Sequence, residues 1–168
     1  MKEISFRNDV LPLKDKFFRL ALRITRNREE AEDIVQETLL RLWNKREELT
    51  NPIEGLGYTI CRNLALDQVQ RKEKQNIAFD PTCHERADSG YTPDDTLIDK
   101  EGRHLLQHIV DQLPEKQRTI IQLRDVEGKE YKEIALILNI TESDVKVSLF
   151  RARQKIKEQF EKLDRYGL

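Results

Sequence analysis

Apolar residues recur at helical spacing along most of the chain, with few glycines or prolines outside the turns, and this pattern predicts an all-helical protein. Phe17, Leu20, Ala21 and Ile24 mark one face of a first helix. Asn27 is placed to cap a second, with Glu30 at the capping-box position. Its buried stripe is Ala31, Ile34, Val35, Thr38, Leu39 and Leu42. Thr50, Asn51 and Pro52 restart the chain as a third helix, since proline is tolerated at the first helical position. That helix, over 53–72, is expected to bury Leu56, Ile60 and Leu64.

Periodicity then stops. Turn-forming clusters (DPTCH at 80–84, DSG at 88–90, TPDD at 92–95) fill a stretch too long and polar for an ordinary connection inside one domain. The apolar rhythm resumes with Leu97, Leu105, Ile109 and Leu113, and Pro114 opens a further helix through Ile120, Ile121 and Leu123. The organisation read from this is two small helical domains, 8–75 and 100–163, joined by a flexible linker over 76–99.

The last third carries a helix–turn–helix. Ile134, Ala135 and Leu138 make the apolar face of its first helix, and Asn139 supplies a residue that tolerates a left-handed exit. Thr141 is a good N-cap, Asp144 stands three residues on as a variant capping box, and Ile140 and Val145 occupy the staple positions. Val145, Leu149, Ala152 and Ile156 share one face of the second helix, whereas Ser143, Lys146, Val147, Phe150, Arg151 and Gln154 share the other. A buried stripe backed by a basic, hydrogen-bonding face is what a major-groove recognition helix requires. The plainer alternative is an amphipathic helix with a solvated basic face.

Composition changes this picture in three ways. Among 168 residues, 36% are charged and 38% hydrophobic, so the core is modest. The net charge of −1 argues against a protein that coats nucleic acid by bulk electrostatics, although a local patch or a larger partner could still hold it on DNA. Two cysteines, Cys61 and Cys83, are too few for a disulfide framework, and neither a signal peptide nor a transmembrane stretch is visible, so a cytoplasmic protein is expected.

Four segments in order resemble bacterial sigma factors of the sigma-70 family. The stretch AEDIVQETLLRLW at 31–43 is similar to their core-polymerase-binding segment, and ICRNLALD at 60–67 to their −10-reading helix. LPEKQR at 113–118 and VKVSLFRAR at 145–153 resemble the −35-binding domain. The short layout resembles the extracytoplasmic-function (ECF, group 4) subfamily, which keeps regions 2 and 4. The match spans both domains and omits only the linker and the termini. It implies a subunit that binds core RNA polymerase, through the beta-prime clamp coiled coil and the beta flap, and directs initiation at promoter DNA. An anti-sigma factor is implied as a further partner, without direct insertion into a membrane.

Each segment also has its own physical reading. Glu29, Glu30, Glu32, Asp33 and Glu37 make an acidic start to the second helix, which could simply be a solvated face stabilising the helix dipole. Leu40 and Trp43 beside those acids are better explained as interface anchors. The resemblance makes Asp33, Gln36, Glu37, Leu40 and Trp43 the polymerase-binding set. On the third helix, Tyr58, Arg62, Asn63, Asp67 and Arg71 are read as lining one side, offering an aromatic for unstacked bases, an amide for a base edge and cations for phosphates. The alternative is a core-edge tyrosine with ordinary surface polars. Many relatives carry tryptophan where this chain has Leu56, and the loop 44–51 is expected to receive a flipped −10 base.

For the −35 element the resemblance maps contacts onto Ser143, Lys146, Val147, Phe150 and Arg151. Arginine can pair bidentately with guanine, and Phe150 or Val147 can pack on thymine methyls. Where many relatives have Ser-Arg this chain has Val147-Ser148, which predicts a lost phosphate contact at Ser148. His104 and His108 stand four apart on a helix, and Cys83-His84 lies upstream, but no third ligand is fixed by spacing, so no metal, cofactor or catalytic residue is expected. Two rival functions remain at this stage. One is a stand-alone helix–turn–helix regulator; the other is a sigma mimic that titrates an anti-sigma protein.

Overall fold

The computed structural model describes residues 4–49, 53–75 and 100–165, all of whose regular elements are helical. The proposed linker, with Leu97, Cys83, His84 and the Thr50–Pro52 restart, lies outside the described residues. The chain divides into two compact units, each with its own core.

In the N-terminal unit a π turn (Phe6–Val10) and a 3-10 turn (Leu11–Leu13) lead into α1 (Lys14–Thr25), followed by α2 (Arg28–Asn44) and α3 (Glu54–Gln75). Helix α1 packs against both of the others. Its buried residues are Phe17, Leu20, Ala21 and Ile24, and those of α2 are the six read from the pattern. Asn27 caps α2 as expected, its Oδ1 accepting from the Glu30 amide at 3.0 Å. The Glu30 carboxylate instead pairs with Lys72 of α3 at 3.1 Å. The tight α1–α2 corner is made by Arg26 at φ 56, a left-handed residue that the pattern did not single out.

Helix α3 corrects the sequence reading. Its buried face is Gly57, Tyr58, Cys61 and Ala65; Leu56 is exposed, and Ile60 and Leu64 are only half-buried. The cause is a close approach to α1. The Gly57 backbone lies against the Phe17 ring, and the Tyr58 ring meets Phe17 edge-on at 5.4 Å. Small residues at the contact set the helix rotation, and the larger leucines are turned away.

The C-terminal half of the chain carries α4 (Lys100–Asp111), α5 (Glu115–Ile121) with a π extension (Gln122–Val126), α6 (Tyr131–Leu138) and α7 (Glu142–Arg165). Pro114 occupies the N-cap of α5. Ile109, Leu113, Ile120, Ile121 and Leu123 are buried, as the spacing predicted. Gly128 turns the chain toward α6 with φ 73, and Asn139 makes the left-handed exit with φ 59. Thr141 Oγ1 accepts from the Asp144 amide at 3.0 Å, half of the capping box. The Asp144 carboxylate is turned elsewhere, toward Lys116 of α5. Helices α6 and α7 form the helix–turn–helix.

Candidate functional site

Helix α7 sorts its side chains by face. Val145, Leu149 and Ala152 are buried, with Ile156 half-buried below them. Ser143, Lys146, Val147, Phe150, Arg151 and Gln154 are exposed, and Phe150 retains 68% of its accessible surface. A phenylalanine that bare, between cations, has no packing role within the unit.

Two ionic contacts join this helix to its neighbours. At its start Lys116 Nζ donates to both Asp144 oxygens, at 2.9 and 2.8 Å. This hydrogen bond, with a smaller one from Ser148, holds the Asp144 carboxyl below its usual pKa. One turn further along than Leu149, Arg153 reaches across to Asp125 in the π extension, with Nε 3.3 Å from Oδ2. Ser148, where a phosphate contact was expected to be lost, is only 7% exposed and donates its hydroxyl to Asp144 at 3.1 Å.

The structure adds two residues that sequence reasoning missed. Tyr131, the first residue of α6, lies under Lys146 of the reading face at 5.5 Å and under Arg124 at 4.5 Å. Tyr131, Lys146, Phe150 and Gln154 line one depression with Arg153 and Lys157. A cation over an aromatic ring is held in place without being neutralised, so it stays available to an anion. These residues come from separate elements, and no local spacing marks them.

On α3 the set of five does not share one side. Asn63, Asp67 and Arg71 are exposed, with Asp67 and Arg71 paired at 2.9 Å, and exposed Leu56 lies on the same half of the helix. Arg62 is half-buried. Tyr58 is fully buried, with its hydroxyl donating to Glu54 Oε2 at 3.2 Å, and Glu54 in turn pairs with Lys16. Its ring is thus part of the core and not a free stacking platform. Of the loop after α2, residues Lys45 to Glu48 form turns and Leu49 has no regular structure, and residues 50–52 lie outside the described residues.

On α2, Asp33, Gln36 and Leu40 are exposed together, Leu40 at 53%. Glu37 pairs with Arg41 at 2.8 Å. Trp43 is half-buried rather than bare: the Phe6 ring stands edge-on to it and the Arg46 guanidinium covers its face.

The remaining chemistry is sparse. Burial pushes the Cys61 thiol up to about 12, and its Sγ donates to the Phe17 carbonyl, so it is held protonated. His104 and His108 are exposed on α4, and no cluster of three metal-ligating side chains occurs among the described residues.

Residues 10–75 match the family model for sigma-70 region 2, and residues 103–156 match that for sigma-70 region 4. RNA polymerase sigma factor SigV of Bacillus subtilis is 32% identical over 90% of this chain and 88% of its own length. The ECF sigma factor SigW of Bacillus subtilis is 30% identical over 89% of this chain and 86% of its own length. The chain belongs to the extracytoplasmic-function subfamily of the sigma-70 family. It is also 30% identical to the ECF sigma factor SigE of Mycolicibacterium smegmatis, over 88% of this chain but only 58% of that relative. The solved structure of the sigma factor RpoE from Bartonella quintana, in complex with the anti-sigma factor NepR, has the same fold. It superimposes with a TM-score of 0.78 at 20% identity, covering 93% of this chain and 96% of that one. The α2 face thus belongs to region 2 and the exposed face of α7 to region 4 of an ECF sigma factor, a family of regulators and not of enzymes. No helix among the described residues is long and apolar enough to cross a membrane.

Proposed function

We propose that this sigma factor binds core RNA polymerase through Asp33, Gln36, Glu37, Leu40 and Trp43 and directs initiation by reading −10 and −35 elements. The observation that carries the reading is the exposed row on α7. Lys146, Val147, Phe150 and Arg151 are exposed on a helix whose opposite face is core. Arg151 suits bidentate recognition of guanine, and Val147 and Phe150 suit thymine methyls. Lys146, set beside Arg124 over Tyr131, suits phosphate contact, which positions the helix without specifying sequence.

For the −10 element the supported residues are Asn63, Asp67 and Arg71, with Leu56 beside them and Arg62 at their edge. Tyr58 enters as the core support of that helix. The beta-prime clamp coiled coil is the partner proposed for α2, and the beta flap a partner for region 4. The chain works in the cytoplasm, and an anti-sigma factor that covers the α2 or α7 face would silence it, as NepR accompanies the Bartonella relative.

Run-off transcription with core polymerase, with and without the protein, is the test. Specific transcripts that depend on the protein are expected. Tight, specific DNA binding by the chain alone, without transcripts, would favour the stand-alone regulator; neither activity would favour the mimic.

A further inference from the structure

Trp43 lies in the last turn of α2, where an indole has several rotamers open to it. Here it has one setting. The Phe6 ring meets it at 81° with centroids 5.3 Å apart, and the Arg46 guanidinium lies 3.9 Å above it. Both neighbours are themselves anchored. Arg46 Nη1 donates to the Trp43 carbonyl at 3.0 Å. Phe6 opens a turn closed by Ser5, whose amide donates to Asp9 Oδ2 at 2.7 Å and whose hydroxyl accepts from the Asn8 amide at 3.3 Å. Buried Ile4 and Val10 pin that turn at both ends.

We propose that Phe6 and Arg46 are positioning residues that hold the Trp43 indole ready for the polymerase, so that the turn ahead of the matched region 2 belongs to the polymerase-binding face. The inference rests on the reading of α2 given above. Phe6 precedes the residues matched to the family model, which begin at residue 10. The match therefore does not cover this contact. An anchor whose rotamer is restricted before association loses less freedom on binding, which by general magnitudes is worth about twofold to tenfold in affinity.

The chain has one tryptophan, so its fluorescence reports this site alone. The experiment compares the full protein with Phe6→Leu, Arg46→Gln, Trp43→Ala and each of the first two combined with Trp43→Ala. Core polymerase affinity, Trp43 time-resolved anisotropy and helicity are measured for each where the probe remains. The expected result is faster indole motion and about twofold to tenfold weaker binding in Phe6→Leu and Arg46→Gln, with no further loss once Trp43 is alanine. A freed indole with full affinity overturns the proposal, as does an equal loss in the Trp43→Ala background. If Trp43→Ala alone binds polymerase normally, the reading of the α2 face falls and takes this inference with it. If Trp43→Ala is impaired but the other two are not, only the inference falls. Should Phe6→Leu lose helicity, Arg46→Gln, which removes no buried apolar group, decides.

Discussion

Gly57 and Phe17 are in direct contact across the α1–α3 interface: a Cβ on residue 57 would collide with the Phe17 Cζ. Phe17 is fully buried, so its ring has nowhere to go. This contact sets the rotation of α3 and thereby decides which of its side chains face solvent.

Gly57→Ala is therefore expected to destabilise the N-terminal unit even though alanine is the better helix former. Overpacking of this kind costs ~1–3 kcal/mol, against a helix-propensity gain of about 1 kcal/mol. Denaturant unfolding followed by Trp43 fluorescence reads it; an unchanged or higher midpoint would show that α3 can back away from α1.

The pairing of Lys116 with Asp144 makes the start of α7 sensitive to acid. Asp144 has its pKa lowered from 3.8, first by the hydrogen bond from Lys116. A carboxyl depressed on folding contributes stability above its unfolded pKa and loses it as pH falls through the folded one. The contribution should be complete at neutral pH and vanish only below 3.8. Titrating Asp144 by NMR checks this, and Lys116→Met should move the midpoint upward toward the unfolded value.

Arg151→Ala should lose discrimination at one base position of the −35 element, by roughly 1–3 kcal/mol for a bidentate contact. Lys146→Ala should weaken all promoter variants about alike, as removal of a phosphate contact does. Competition binding by holoenzyme across single-base promoter variants separates the two patterns. A uniform loss in Arg151→Ala would exclude base readout by that side chain.

Charge reversal at Asp33 and truncation of Leu40 to alanine should each impair polymerase binding at intact helicity. Central interface anchors commonly cost ~2 kcal/mol or more when removed. Both residues are exposed, so melting temperatures should stay close to that of the parent. Unchanged affinity in both variants would move the interface off this face.

Much of the fold was legible because α1, α2 and α7 each carry one apolar stripe of large residues, and the caps at Asn27 and Thr141 are spelled out locally. Helix α3 was not, because two sets compete on it. Leu56, Ile60 and Leu64 form one helical row, and Gly57, Tyr58, Cys61 and Ala65 form another; only the ring of Phe17, from a different helix, selects between them. Tyr58 was misplaced for the same reason. The burial of Ser148 was not addressed by the pattern; its hydroxyl is accommodated because Asp144 accepts its hydrogen bond. The stacking of Arg124 and Lys146 on Tyr131, like that of Phe6 and Arg46 on Trp43, joins residues from separate elements or loop positions, which periodicity does not address.

The strict sorting of α7 into a core face and a bare face has a consequence for divergence and for engineering. Val147, Phe150 and Arg151 are exposed and can be exchanged without disturbing Val145, Leu149 or Ala152, so under the proposed role of that face the vocabulary of promoters can drift while the scaffold stays still. Copies of such a chain within one cell could acquire separate regulons by a handful of surface substitutions. A designer wanting mutually blind transcription circuits would randomise those three positions and leave Ser148 and Asp144, which tie the helix to its support, untouched.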